Sequence, residues 1–428
     1  MLFADVRNPF NQTLSLGMPD VLVITHSLPS LTGMGVSMRL GNWLEVLAKR
    51  RRVTLLVVSA DPNNNEAALA PMWREVCAEC HFVNVAAAAQ QVPHAQLWRR
   101  VLRRVPSMWT RWPAEAVRAA LPASLQGRHF AAVLVFRLRL WPVWLWLKQA
   151  RGVEAGRVVL DLDDVESAAQ RRQVQALGPG HFGRLGVWLE RLDARRVARA
   201  EQAVLSQVDA MTLAAAADRD ALAGSLQQPS HAARLHVVPN GVRLPVPLPP
   251  APATQAFTVL FLGALDYLPN EQAVRWLVDE IVPALQRHFG AQALRIQVVG
   301  RNPPAWMKQA QGIELHPDVP RVEPYFAGCH VLVVPLRMGG GTRIKIIEAL
   351  AYGRPVVSTA VGAEGLGLQA GQHALMAETT NEFVQAVAQL QAQAALALRL
   401  ADAGCRHVQQ NFSLDAVARA ALVLFDPS

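Results

Sequence analysis

The stretch "HVLVVPLRMGGGTRIKIIEALAYGRPVVST" fills positions 330–359. It opens on a valine-rich run, the pattern of a strand buried on both faces. The run ends at Gly339, Gly340 and Gly341. A helical pattern follows from Arg343, and a second strand pattern, "PVVST", closes the stretch. Strands separated by helices specify a parallel sheet with crossover helices.

The same alternation extends in both directions. Strand patterns lie at 21–26, 53–60, 131–137, 157–164, 210–215 and 235–241, and again at 257–263, 294–300, 330–336 and 355–359. Helix-like spacing fills the intervals, and a helix is expected over 270–288. A proline-rich segment, "PVPLPPAPA" (245–253), separates the two series and reads as a stiff linker. The expected fold class is α/β with two successive units: residues 1–243, residues 244–410, and a last helix over 411–428 that returns toward the first unit.

The chain has 428 residues, 51% hydrophobic and 18% charged, which excludes a disordered chain. Residues 1–250 hold 29 Lys+Arg against 19 Asp+Glu, and the remainder 13 against 14. The first half is basic and the second neutral, so the two halves are expected to meet different partners. Cys77 and Cys80 form a lone C-A-E-C. A zinc site needs about four ligands, so ordinary reduced thiols are expected. No signal-peptide pattern opens the chain. The apolar stretch 130–147 is interrupted by Arg137, Arg139 and Pro142, and reads as a strand followed by a helix.

The chemistry centres on 339–348. A helix N-terminus carries partial positive charge, so Arg343 and Lys345 are unfavourably placed there unless an anion joins them. Glycines let backbone N–H groups approach a phosphate closely, and the carboxyl ends of strands are where open α/β sheets bind ligands. A bound diphosphate would meet the helix dipole, the arginine fork and the lysine charge together. Glu348, three residues after Lys345 on the same face, could accept from a ribose hydroxyl. The alternative is a plain glycine turn with solvated basic residues. No Walker-type loop occurs.

These residues resemble the nucleotide-sugar site of retaining glycosyltransferases of family four, and more narrowly the bacterial exopolysaccharide subgroup with "GGGTRxKxxEA…PVVST…GAEGL". "VVPNGV" (237–242), "FLGALDYLPNEQAVRWLVDEIVPAL" (261–285), "VVGRNPP" (298–304) and "FSLDAVA" fit the same pattern, so the similarity spans most of 235–415. It implies the GT-B arrangement, two Rossmann-like domains facing across a cleft. It also implies transfer of a sugar from a nucleoside diphosphate to a glycan or lipid-linked acceptor with retention, in cell-surface polysaccharide synthesis. Arg343 and Lys345 would act on the leaving diphosphate. Gly263, Gly339, Gly340, Gly341, Thr342, Glu348 and Glu364 would bind the donor, and neither a metal nor another cofactor is expected. Many family members carry two glutamates eight positions apart here. Glu348 matches the second, and Gly340 stands at the first.

On the acceptor side the resemblance points to the loop with Gly33 and Gly35. His26, Arg137 and Asp163 also end strands; the arginine and aspartate serve either an acceptor or each other. "QLWRRVLRRVPSMWTRW" (96–112) has an apolar helical stripe with arginines and no acid. Trp98, Arg99, Arg100, Arg103, Arg104, Trp109 and Trp112 suit contact with an anionic membrane surface, or the segment docks on its own sheet. Nucleic acid is not an expected partner. The expected location is the cytoplasm, at the inner face of the membrane. A nucleotide-sugar epimerase and an inactive membrane-peripheral scaffold are the alternatives.

Overall fold

The structure, a computed structural model, describes residues 18–31, 35–90, 101–102, 104–245, 248, 256–339 and 343–426. The chain divides into two compact units, Met1–Asn240 with Val417–Ser428, and Gly241–Ala416.

The first unit is built on seven strands: β1 (Asp20–Thr25), β2 (Arg52–Ser59), β3 (Glu79–Asn84), β4 (His129–Phe136), β5 (Glu154–Asp163), β6 (Ala210–Leu213) and β7 (Leu235–Val237). They form a parallel sheet in the order β3-β2-β1-β4-β5-β6-β7. Alternate residues of each strand point to opposite faces. Leu22 and Ile24 of β1, with Val133 and Val135 of β4, pack on one face. Val21 and Val23, with Leu134 and Phe136, pack on the other. The helix Gly35–Ala48 covers the latter with Leu40, Trp43, Leu44 and Leu47, a helical stripe. Val417, Ala421, Leu424 and Phe425 pack on that same face. Arg51 fixes this end of the chain by donating to the Phe425 carbonyl at 3.1 Å and pairing with Asp426.

The second unit has six strands: β8 (Phe257–Leu262), β9 (Leu294–Gly300), β10 (Glu314–Pro317), β11 (Val331–Val334), β12 (Val356–Ser358) and β13 (Leu375–Met376). Their order is β10-β9-β8-β11-β12-β13, all parallel. In both sheets the chain runs outward from a central strand, then jumps to that strand's other side. The β1/β4 and β8/β11 boundaries are therefore topological switch points, where the carboxyl ends open a crevice.

The strands the sequence omits are β3, β10 and β13, and all three lie at sheet edges. Edge strands are half-solvated, so they lack continuous apolar runs; β3 reads "ECHFVN". The stretch 130–147 divides into β4 and the helix Trp141–Arg151. Among the described residues no helix is long and apolar enough to cross a membrane.

One expectation is corrected. The stretch 96–112 is not one helix: residues 104–106 are non-helical, and a helix restarts as Ser107–Thr110. Pro106 explains the break, because it disfavours helical backbone at the preceding residue.

Candidate functional site

The site in the second unit is assembled at the β8/β11 switch. β8 leads into Gly263, and β11 leads to Gly339 and the helix Ile344–Ala351. Ile346, Ile347 and Leu350 bury one face of that helix and fix its direction. Gly263 donates its N–H to the Val299 carbonyl at 3.0 Å. A Cβ on Gly300 would lie 1.8 Å from the Gly263 carbonyl oxygen, so β8 and β9 meet here only because Gly300 has no side chain.

Lys345, in the first turn of the helix, folds back over this corner. Its Nζ donates to Asn270 Oδ1 at 2.7 Å and sits 4.7 Å from the centre of the Phe261 ring. Asn270 is itself held by donating to the Ala264 carbonyl at 2.8 Å. A Cβ on Gly263 would meet both Lys345 Nζ and Asn270 Nδ2 at 2.8 Å. The ammonium is thus held against a bare backbone, with no carboxylate paired to it among the described residues. Burial, then the nearby Arg343 charge, lowers its pKa from 10.5 to about 7.

Arg343 is the residue before the helix and is 5% exposed. Its guanidinium donates to the Val361 carbonyl (3.0 and 3.2 Å) and to the Gly339 carbonyl (3.1 Å), and lies 3.9 Å from Glu364. It braces the glycine loop against the turn after β12. Gly339 adopts φ 129°, a conformation open to glycine but strained for other residues. Glu348, one turn along from Lys345, is half-buried, and no described side chain donates to its carboxylate. Burial, then repulsion from Glu323, raises its pKa to about 7. Gly340, Gly341 and Thr342 lie outside the described residues. Among the described residues no group of three or more His, Cys, Asp or Glu side chains could hold a metal ion.

Asn270 is the site residue that sequence reasoning missed. It lies within the quoted "FLGALDYLPNEQAV", where periodicity marks a helix but not an inward-facing amide.

In the first unit the corresponding edge is a buried polar network. Arg39 makes two bonds to Asp161 (2.6 and 2.8 Å) and one each to the Val238 carbonyl and Asn240. Thr212 completes Asp161 at 2.5 Å. Asn240 and Arg137 hold the two oxygens of Asp163 at 2.8 and 2.5 Å. Arg137 and Asp163 are therefore bonded to each other, and that charge neighbour outweighs burial, keeping Asp163 below its ordinary pKa. Both have positive φ, 84° and 68°, at the ends of β4 and β5; such strain gathers at functional edges. His26 directly follows β1, with its Nδ1 buried and unbonded. Burial, then Arg139 and Arg137, lowers its pKa to about 3, so it is neutral. Nearby Glu166 is raised to about 7 by burial. Gly35 opens its helix, while Gly33 lies outside the described residues. Cys77 and Cys80 are free thiols, the first buried and the second half-buried.

Of the basic stretch, Trp98, Arg99, Arg100 and Arg103 lie outside the described residues. Arg104 is exposed. Trp109 and Trp112 pack on the first-unit core, and their indoles donate to the Leu138 and Arg139 carbonyls, each at 2.9 Å. These two tryptophans serve docking on their own sheet.

Residues 256–393 match the family model described as glycosyl transferases group 1. No curated protein matches the sequence. Among solved structures, sucrose-phosphate synthase from Thermosynechococcus elongatus is similar over 95% of this chain and 98% of its own, with TM-score 0.64 and 16% identity. HepE from Anabaena, in complex with UDP and glucose, is similar over 94% and 97%, with TM-score 0.59 and 12% identity. A TarM mutant from S. aureus, in complex with fondaparinux, alpha-GlcNAc-glycerol and UDP, is similar over 96% and 100%, with TM-score 0.65 and 10% identity. The chain thus has the GT-B fold, and residues 256–393 of its second unit are similar to the group 1 glycosyl transferases.

Proposed function

We propose that the protein is a retaining glycosyltransferase that moves a sugar from a nucleoside-diphosphate donor to a glycan or lipid-linked acceptor in cell-surface polysaccharide synthesis. The observation that supports this most is the Lys345 ammonium, held by Asn270 against the bare backbone of Gly263 at the β8/β11 switch. A cation kept largely from water, with no carboxylate paired to it among the described residues, suits an anion that arrives with the substrate. UDP in the HepE and TarM structures is consistent with a nucleoside-diphosphate donor.

In this reading Gly263 and Gly339, with Gly340, Gly341 and Thr342, let the diphosphate approach the helix N-terminus. Lys345 and Arg343 stabilise the charge that builds on the diphosphate as the glycosidic bond breaks. That pair supplies the neutralising charge, so no metal is assigned to the step. The departing diphosphate takes the acceptor proton on the face from which it leaves, which gives retention. Glu348 accepts from a ribose hydroxyl, and Glu364 orients Arg343. The acceptor is assigned to the first unit, at the edge formed by His26, the Gly33–Gly35 loop, Arg137 and Asp163. The protein is further proposed to act in the cytoplasm, peripherally on the inner face of the membrane, through its basic first unit.

The test is release of nucleoside diphosphate from a panel of nucleotide sugars by the purified chain. Release from at least one donor, rising with an added acceptor glycan, is expected. Inertness toward every donor refutes the assignment.

A further inference from the structure

Residues Glu166–Leu205 are two helical arms separated by non-helical glycines at 178 and 183. Gln170 donates to Glu190 at 3.0 Å, and Ser167 bonds Glu201 at 2.6 and 3.0 Å, so the arms lie antiparallel as a hairpin. The second arm divides its charges sharply. Its three acids all turn inward: Glu190 receives Gln170, Asp193 accepts from Ser107 at 2.7 and 2.9 Å, and Glu201 is fully buried.

The outward residues are Arg184, Leu185, Trp188, Arg191, Arg195 and Arg199, all exposed. The four arginines and Trp188 fall within an arc of about 80°, at 3.6 residues per turn, along roughly 22 Å of helix. None of these arginines is paired with a carboxylate among the described residues. Trp188 is 49% and Leu185 52% exposed. Isolated exposed apolar side chains are ordinary, but contiguous ones mark an interaction surface.

A second apolar edge runs alongside. Arg196 Nη2 donates to the Val101 carbonyl at 2.7 Å, which sets Val101 and the 71%-exposed Leu102 beside this arm.

We propose that the outer face of this second arm is the membrane-docking surface of the first unit, seated on an anionic lipid leaflet. The inference rests on the peripheral-membrane part of the function proposed above and gives it a location. Charge complementarity selects the occupant: four guanidinium groups in line, with no carboxylate partner among the described residues, suit lipid phosphates, and arginine grips phosphate through its fork. Trp188 and Leu185 supply the apolar component at the headgroup boundary, as basic amphipathic helices do. A nucleic acid would satisfy the arginines but gives no role to Leu185 and Leu102.

The experiment is vesicle flotation of the full chain with phosphatidylcholine alone and with phosphatidylglycerol added. The parent is expected to float only with the anionic vesicles. At about fivefold per basic residue, the Arg184→Gln/Arg191→Gln/Arg195→Gln/Arg199→Gln variant loses roughly a hundredfold or more in partition. Trp188→Ser loses a smaller factor that added salt leaves unchanged. Unchanged thermal unfolding of these surface variants shows that the fold is intact. Should the quadruple variant misfold, Trp188→Ser and Arg191→Glu alone decide. Parent-like flotation of the arginine variant, with loss in an Arg99/Arg100/Arg103/Arg104→Gln variant instead, overturns this surface and leaves the membrane reading standing. Failure of the parent to float with either vesicle overturns both. Binding of single-stranded RNA in place of vesicles, indifferent to Trp188→Ser, overturns the lipid assignment.

Discussion

Lys345 should take up a proton when diphosphate binds. Its pKa is about 7, against an ordinary 10.5, because burial and Arg343 disfavour the charge. At about pH 8.5 only roughly 3% of the lysine is then charged. A phosphate oxygen ~4 Å away contributes about 4 kcal/mol per unit charge at an effective dielectric near 20. That is about three pKa units, enough to restore the ordinary value. Binding at about pH 8.5 therefore takes up close to one proton. Affinity for UDP or GDP should fall nearly tenfold per pH unit between about 7.5 and 9.5. Titration calorimetry in two buffers of different ionisation enthalpy counts the proton. Lys345→Arg, permanently charged, should bind without uptake and with a flat profile. Binding with no proton uptake in the parent would show that Lys345 does not meet the phosphates.

Other consequences follow from neighbouring groups. Glu348 has its folded pKa raised from 4.5 to about 7, so its protonated form contributes stability that is complete below about pH 4.5 and lost as pH rises through about 7. Glu348→Gln should flatten that window in pH-dependent unfolding and weaken nucleoside diphosphate about tenfold or more, the loss of a charge-assisted hydrogen bond; unchanged nucleotide affinity would remove the ribose assignment. Gly300→Ala must displace the Gly263 carbonyl, since the new Cβ would lie 1.8 Å from it, and should cost about 1–3 kcal/mol in denaturant unfolding while weakening nucleotide binding. Asp161→Ala leaves the buried Arg39 without its main partner and should cost about 3–5 kcal/mol, read as a lowered urea midpoint; a parent-like midpoint would show the network to be dispensable.

The sheets were legible because their central strands are buried on both faces, and a continuous apolar run as short as 331–334 suits a central strand better than a helix, which needs more length. Three of the four edge strands were not: β3, β10 and β13 are short or half-solvated and lack the apolar run that marks a strand, while the edge strand β7 falls within the expected 235–241. The candidate donor corner was half legible. Gly263, Gly339, Arg343, Lys345 and Glu348 stand out by residue type and spacing. Asn270 does not, because an asparagine early in a helix is ordinary until the fold sets it under a lysine. Residue type and spacing point Arg343 at a diphosphate but do not show that its guanidinium is also spread over the carbonyls of Gly339 and Val361. The arginine-rich face at 184–199 escaped notice for a different reason. Its charges alternate with acids along the sequence, and only the hairpin, bent at Gly178 and Gly183, turns the acids inward.

The measurement that bears most directly on function is nucleoside diphosphate release from nucleotide sugars by the parent, Lys345→Ala and Arg343→Ala, with and without acceptor glycan. Acceptor-stimulated release by the parent, slowed about 10²-fold or more in each variant, is the expected result, the scale of one lost transition-state charge contact. Release at parental rates by both variants, or no release by the parent from any donor, would contradict an enzyme that works by stabilising a departing diphosphate at Lys345 and Arg343.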